Sequence, residues 1–134
     1  MIAGPPLHHV GIVQATESDA LALMNLLGMQ EDYRGFVGQW SALCIFTKAE
    51  GRSPIEFVIP HGGPLERFNK GAGGLHHIAL EVPDLTALAL SLEAENIKLL
   101  EPAPIKGAGP FMCNFLGPSY TRGLTIEFVQ ALGY

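Results

Sequence analysis

What most constrains this chain is that its sequence is written twice. Leu7-His8-His9-Val10-Gly11-Ile12 recurs as Leu75-His76-His77-Ile78-Ala79-Leu80, an offset of 68 from position 7 to position 75. Each copy is followed by Ala-Leu-Ala-Leu, beginning at Ala20 and at Ala87, an offset of 67. Ile55-Glu56-Phe57-Val58 then recurs as Ile126-Glu127-Phe128-Val129, an offset of 71. The same landmarks in the same order mark a duplicated unit, and the fold must therefore be built from two copies of one supersecondary motif.

Within each copy the hydrophobic period changes in step. His8 to Val13 and His76 to Val82 are short, β-rich and alternating, which predicts a strand at the head of each half. A helix follows each strand. Thr16-Glu17-Ser18-Asp19 forms a candidate capping box for the first helix, which should end near Gly28, and Asp84 after Pro83 can cap the second. Leu85, Leu88 and Leu92 then share one helical face. Further apolar runs at Ser41 to Thr47, Ile55 to Ile59, Phe111 to Leu116 and Leu124 to Val129 read as strands, separated by Gly- and Pro-containing turns. Glu66 to Gly74, rich in glycine and charge, reads as a linker that cannot supply core.

Strand, helix, then two or three strands, twice over, predicts an α+β fold whose mixed sheet curls around a shared trough. A chain of 134 residues, 48% of them hydrophobic, suits one domain with a sizeable core. Module one should span about 5–65 and module two about 74–132.

On a strand, residues two apart point the same way, so His9 faces away from Val10 and Ile12, and His77 away from Ile78 and Leu80. Glu56 and Glu127 each stand between residues that need burial. An unpaired carboxylate withdrawn from water costs several kcal/mol, so each must face solvent or find a strong partner. A single Glu in such a strand is usually the wet face of a sheet. Four residues at equivalent points of two halves are different, because a pseudo-twofold axis would bring them together. Two imidazoles and two carboxylates, His9, Glu56, His77 and Glu127, suit one divalent ion, Zn, Ni, Co, Mn or Fe. By strand parity His8 and His76 point to the other face and are supporting residues, and His61 reads as a solvated loop histidine.

Composition removes other classes. A formal net charge of −5 with eight scattered Lys and Arg residues offers no phosphate-tracking stripe, so nucleic acid is not expected as a partner. The opening Met1-Ile2-Ala3-Gly4-Pro5-Pro6 lacks the basic and long apolar segments of a secretory signal, and no apolar run approaches the roughly 20 residues that span a bilayer. A cytoplasmic protein without a membrane partner is expected. Cys44 and Cys113 should be reduced and buried.

These landmarks resemble the vicinal oxygen chelate superfamily, which includes glyoxalase I, methylmalonyl-CoA epimerase, extradiol dioxygenases and fosfomycin- and bleomycin-resistance proteins. The likeness covers nearly the whole chain. Pro64 to Leu85, with Lys70-Gly71-Ala72-Gly73-Gly74-Leu75-His76-His77 at its centre, looks most like methylmalonyl-CoA epimerase, as does Gly123 to Gln130. The resemblance implies paired βαβββ modules, metal ligation by His9, Glu56, His77 and Glu127, and Glu127 as the base that moves a proton α to a carbonyl. It implies an isomerase acting on an acyl-CoA, and a homodimer. Many epimerases carry glutamine where this chain has Glu56, which leans toward a glyoxalase I-like lyase acting on a glutathione adduct. A non-catalytic binding or resistance protein is a third reading, with Phe36, Trp40, Phe111 and Phe115 as candidate pocket residues. Epimerases also carry a glutamate just before the strand matching Ser41 to Phe46. Here the nearest residue is Gln39, which cannot exchange a proton at ordinary pH, leaving Glu31 and Asp32 upstream as candidate substitutes.

Overall fold

Strand, helix and three strands occur twice in the computed structural model, which describes residues 4–133. Met1 to Ala3, which begin the stretch read above for a signal, lie outside the described residues, as does Tyr134. The first series is β1 (Leu7–Val13), α1 (Glu17–Leu26), β2 (Glu31–Val37), β3 (Ala42–Thr47) and β4 (Ile55–Pro60). A 3₁₀ segment (Pro64–Gly71) leads into β5 (Gly74–Glu81), α2 (Leu85–Glu93), β6 (Ile105–Lys106), β7 (Phe111–Leu116), a short α3 (Pro118–Thr121) and β8 (Thr125–Ala131). The chain divides into two compact units, residues 9–76 and residues 77–133 together with 4–8. Among the described residues no helix is long and apolar enough to cross a membrane.

In the unit of residues 9–76 the strand order is β2-β3-β4-β1. β1 runs parallel to β4 with Gly11 opposite Glu56, and β3 is antiparallel to β2 and β4. The sheet is mixed because the helix is a crossover that brings β4 back alongside β1 in the same direction. Thr16 caps α1 through its hydroxyl, which accepts from the Asp19 amide at 3.1 Å. The helix ends where expected, as Gly28 takes the left-handed backbone (φ 70°) and Met29 N–H reaches back to the Met24 carbonyl at 2.8 Å, a glycine C-cap. Ala20 and Met24 on α1 pack against Ile45, Phe57 and Ile59, covering one face of the sheet. Each of these large apolar side chains contributes on the order of 1.5–3 kcal/mol by leaving water.

The other unit repeats the plan with the order β5-β8-β7-β6. β5 is parallel to β8 with Ala79 opposite Glu127, and β7 is antiparallel to β8. Asp84 caps α2 by accepting from Ala87 N–H at 3.0 Å. Leu85 and Leu88 pack with Val82 and Phe128, and Leu92 borders the same cluster. The expected α+β class is the observed one, with a helix on one face of each four-stranded mixed sheet.

Glu31 and Asp32, the candidate substitute acids, open strand β2, an edge strand whose polar, half-exposed alternation hides its period. The segment read as a linker, Glu66 to Gly74, is seated at Gly73, which is buried. Gly73 has φ 74°, and a Cβ there would lie 2.4 Å from the Val13 carbonyl oxygen. Both a left-handed backbone and a backbone clash therefore require glycine. Gly73→Ala should cost at least about 2 kcal/mol in urea denaturation, whereas Gly133→Ala, which meets nothing within 4 Å, should be near neutral. Equal effects would contradict this seating.

Candidate functional site

The face of each sheet not covered by its helix carries the polar residues singled out by the repeat. In the unit of residues 9–76, His9 and Gly11 share that face of β1, and the parallel register sets Glu56 beside Gly11. Phe46 lies opposite Glu56 on β3, and Tyr33 opposite Phe46 on β2. His9 Nε2 approaches Glu56 Oε1 to 3.3 Å. The His9 ring meets Phe46 edge-on at 5.0 Å, and Tyr33 stacks on Phe46 at 4.8 Å.

The second unit arrives at the same arrangement independently. His77 and Ala79 share the helix-free face of β5, Glu127 lies beside Ala79 on β8, and Phe115 opposes Glu127 on β7. His77 Nε2 is 3.0 Å from Glu127 Oε1. In both units the residue beside the glutamate, Gly11 or Ala79, has no side chain larger than a methyl group, which leaves the carboxylate room on a crowded pleat.

Burial decides between the two readings of these glutamates. Glu56 is 6% and Glu127 5% exposed, with His9 at 0% and His77 at 5%, so neither glutamate is the wet face of a sheet. Each of the four buried residues offers one ligating atom. Two neutral imidazole nitrogens and two carboxylate oxygens are a borderline-hard donor set suited to first-row divalent ions, whose charge would offset that of the carboxylates.

The repeat extends further than the landmarks that revealed it. Cys44-Ile45-Phe46 and Cys113-Asn114-Phe115, 69 residues apart in sequence, stand at matched register beside Glu56 and Glu127. The signal was present as Cys-x-Phe but was too short to notice alone. Both cysteines are free and buried, as expected.

The remaining candidates separate clearly. His8 is half-buried with its ring 5.3 Å from Phe111, and His76 is buried with Phe68 at 4.9 Å and Trp40 at 6.1 Å. His61 is exposed near Phe36. Phe111 and Phe115 are buried, while Phe36 is 58% exposed. Gln39 sits exposed in the turn between β2 and β3. Glu31 is not an available acid: Arg34 donates to both its carboxylate oxygens, at 2.9 and 2.6 Å, and reaches Glu17 of α1 at 3.5 Å. Hydrogen bonds from Arg34 hold the Glu31 carboxyl below its usual range, outweighing a small opposing effect of burial. Asp32 is exposed.

The chain belongs to the Glyoxalase/Bleomycin resistance protein/Dioxygenase superfamily, whose family profile matches residues 8–115. Within it, the chain is 31% identical over 129 residues to a mitochondrial methylmalonyl-CoA epimerase of Dictyostelium discoideum, covering 92% of this chain and 77% of that protein. Its fold matches the crystal structure of methylmalonyl-CoA epimerase from Mycobacterium tuberculosis with a TM-score of 0.88 at 23% identity, over 99% of this chain and 94% of that one. It also matches a Streptomyces coelicolor methylmalonyl-CoA epimerase variant in complex with 2-nitronate-propionyl-CoA, with a TM-score of 0.82 at 18% identity, over 96% of this chain and 99% of that one.

A divalent ion held by these residues would stabilise the folded chain by mass action. Zn²⁺ or Co²⁺ supplied at about 100 times its Kd should add about 2.7 kcal/mol, several degrees in Tm, reversed by chelator. His9→Ala and His77→Ala should each abolish most of the shift. A Tm indifferent to metal and chelator would contradict the donor-set argument.

Proposed function

We propose that this chain is a divalent-metal-dependent epimerase or isomerase that moves the proton α to the carbonyl of an acyl-CoA resembling methylmalonyl-CoA, its two units acting as one domain around a single ion. The observation that carries the reading is the buried His–Glu pair built twice at matched register, His9 with Glu56 and His77 with Glu127. The names of the relatives supply the substrate class.

In this reading His9, Glu56, His77 and Glu127 hold the metal. When bound, the metal supplies Lewis acidity toward substrate oxygens, which makes the neighbouring carbon a stronger acid. Glu127 takes the α proton. It is suited to that task because its strand is anchored on both sides, by β5 and β7, so the carboxylate is pre-positioned and its freedom is confined to its own torsions. His9 and His77 would supply the imidazole donors, and Phe46 and Phe115 cover the glutamates they oppose. Two free thiols fit a reducing compartment, here the cytoplasm, and the assembly is taken to be a homodimer.

A second reading is favoured by Glu56. A shell with two carboxylates also suits a glyoxalase I-like lyase acting on the glutathione hemithioacetal of methylglyoxal. One experiment separates the readings: metal-loaded protein in D₂O, with α-proton exchange of methylmalonyl-CoA followed by NMR beside turnover of the hemithioacetal. Exchange of the acyl-CoA proton is expected. Glu127→Gln should slow it by at least about 100-fold, while His8→Ala should leave it within a few-fold. Hemithioacetal turnover alone would replace the epimerase with the lyase, and inertness toward both substrates would leave a binding protein.

A further inference from the structure

Resting on the epimerase reading, we propose that a cleft beside Phe68 seats the adenine ring of the acyl-CoA, with Arg67 and Lys70 on its phosphates. The cleft measures about 140 Å³, and Val13, Pro60, Leu65, Glu66, Phe68 and Gly73 line it. All of the lining belongs to the unit of residues 9–76.

The strands that carry His9 and Glu56 lead to this cleft. β1 and β4 are parallel, and each runs on by four residues, from His9 to Val13 and from Glu56 to Pro60. Phe57 and Ile59 pack on the helix side, so Val13 and Pro60 stand with His9 and Glu56 on the helix-free face. At the usual strand rise the cleft lies about 13 Å along both strands from the His9–Glu56 pair. The pantetheine arm of a coenzyme A thioester bridges such a span, so the acyl group reaches the pair while the nucleotide lies at the cleft.

The lining suits a base better than a phosphate. An apolar cavity of roughly 150 Å³ takes a benzene-sized ring, so a cleft of this size seats an aromatic ring and leaves the rest of the nucleotide outside. Val13, Pro60 and Leu65 supply apolar wall, and the half-buried Phe68 supplies a ring on which a base stacks. Glu66 is the charged member of the lining, and its Oε1 accepts from the Gly62 amide at 2.7 Å. That bond fixes a carboxylate to which the exocyclic amine of adenine can donate, whereas a phosphate there would be repelled. Phosphates therefore belong outside, where Arg67 and Lys70, close to Phe68 on either side in sequence, are both exposed. The segment is held in a demanding shape. Asn69 and Lys70 take the left-handed backbone, with φ 52° and 57°, and Asn69 Nδ2 donates to the Gly73 carbonyl at 2.7 Å. Strain of that kind is found at ligand clamps.

The test follows α-proton exchange of methylmalonyl-CoA and of methylmalonyl-pantetheine, which lacks the nucleotide, by metal-loaded protein. Phe68→Ala should raise KM for the CoA thioester by about tenfold or more. Arg67→Glu combined with Lys70→Glu, both at exposed positions, should do the same. With the pantetheine thioester the difference from wild type should vanish. Adenosine 3′,5′-bisphosphate should compete with the CoA thioester in wild type and lose its effect in both variants. An unchanged KM for the CoA thioester in the charge-reversed variant, or equal rises with both thioesters, would overturn the cleft as the nucleotide site while leaving the epimerase reading intact. Wild type that exchanges the α proton of neither thioester would overturn the epimerase reading, and this proposal with it.

Discussion

Glu56 and Glu127 are carboxylates placed in the middle of strands and almost wholly withdrawn from water, and the rest of the structure answers to that constraint. A carboxylate so placed is costly by several kcal/mol unless an opposite charge or a set of donors compensates it. The chain meets the requirement in the same way in each unit. A histidine from the parallel neighbouring strand reaches the carboxylate, and a phenylalanine from the antiparallel neighbour shields it. A pair whose imidazole is neutral keeps the charge of its carboxylate, and a divalent cation, as proposed above, would offset it.

The surrounding fold can be understood as what keeps those carboxylates in register. A one-residue slip of β4 or β8 would send Glu56 or Glu127 into the apolar face under α1 or α2 and bring Phe57 or Phe128 out of it. Burial of Phe57 with Ala20 and Met24, and of Phe128 with Leu85 and Leu88, therefore fixes the position of the functional residues. Packing on the helix side and chemistry on the other are one decision made by the alternation Ile-Glu-Phe-Val. Conformational rigidity at the glutamates follows from strands paired on both sides, not from the loops.

Much of this was legible from the sequence because duplication converts weak local signals into a correlated one. His9 alone, or Glu56 alone, carries little meaning; with His77 and Glu127 at equivalent points they mark matched pairs. Thr16, Gly28 and Asp84 were readable because helix caps are local chemistry. The bulge at Asp32 was not, since register is settled by the partner strand and leaves no mark in residues 31–33 themselves. For that reason Glu31 read as a possible acid. β2 and β6 were missed for a related cause, one being a polar edge strand and the other only two residues long.

Whether two separately built pairs serve one cation is the claim on which the functional account stands, and metal stoichiometry addresses it most directly. Calorimetric titration of chelator-treated protein with Co²⁺, checked by elemental analysis, should give one ion per chain, and Glu56→Ala or Glu127→Ala should each remove that single site. Two independent ions per chain, or a variant in which one pair binds unaffected by loss of the other, would contradict it.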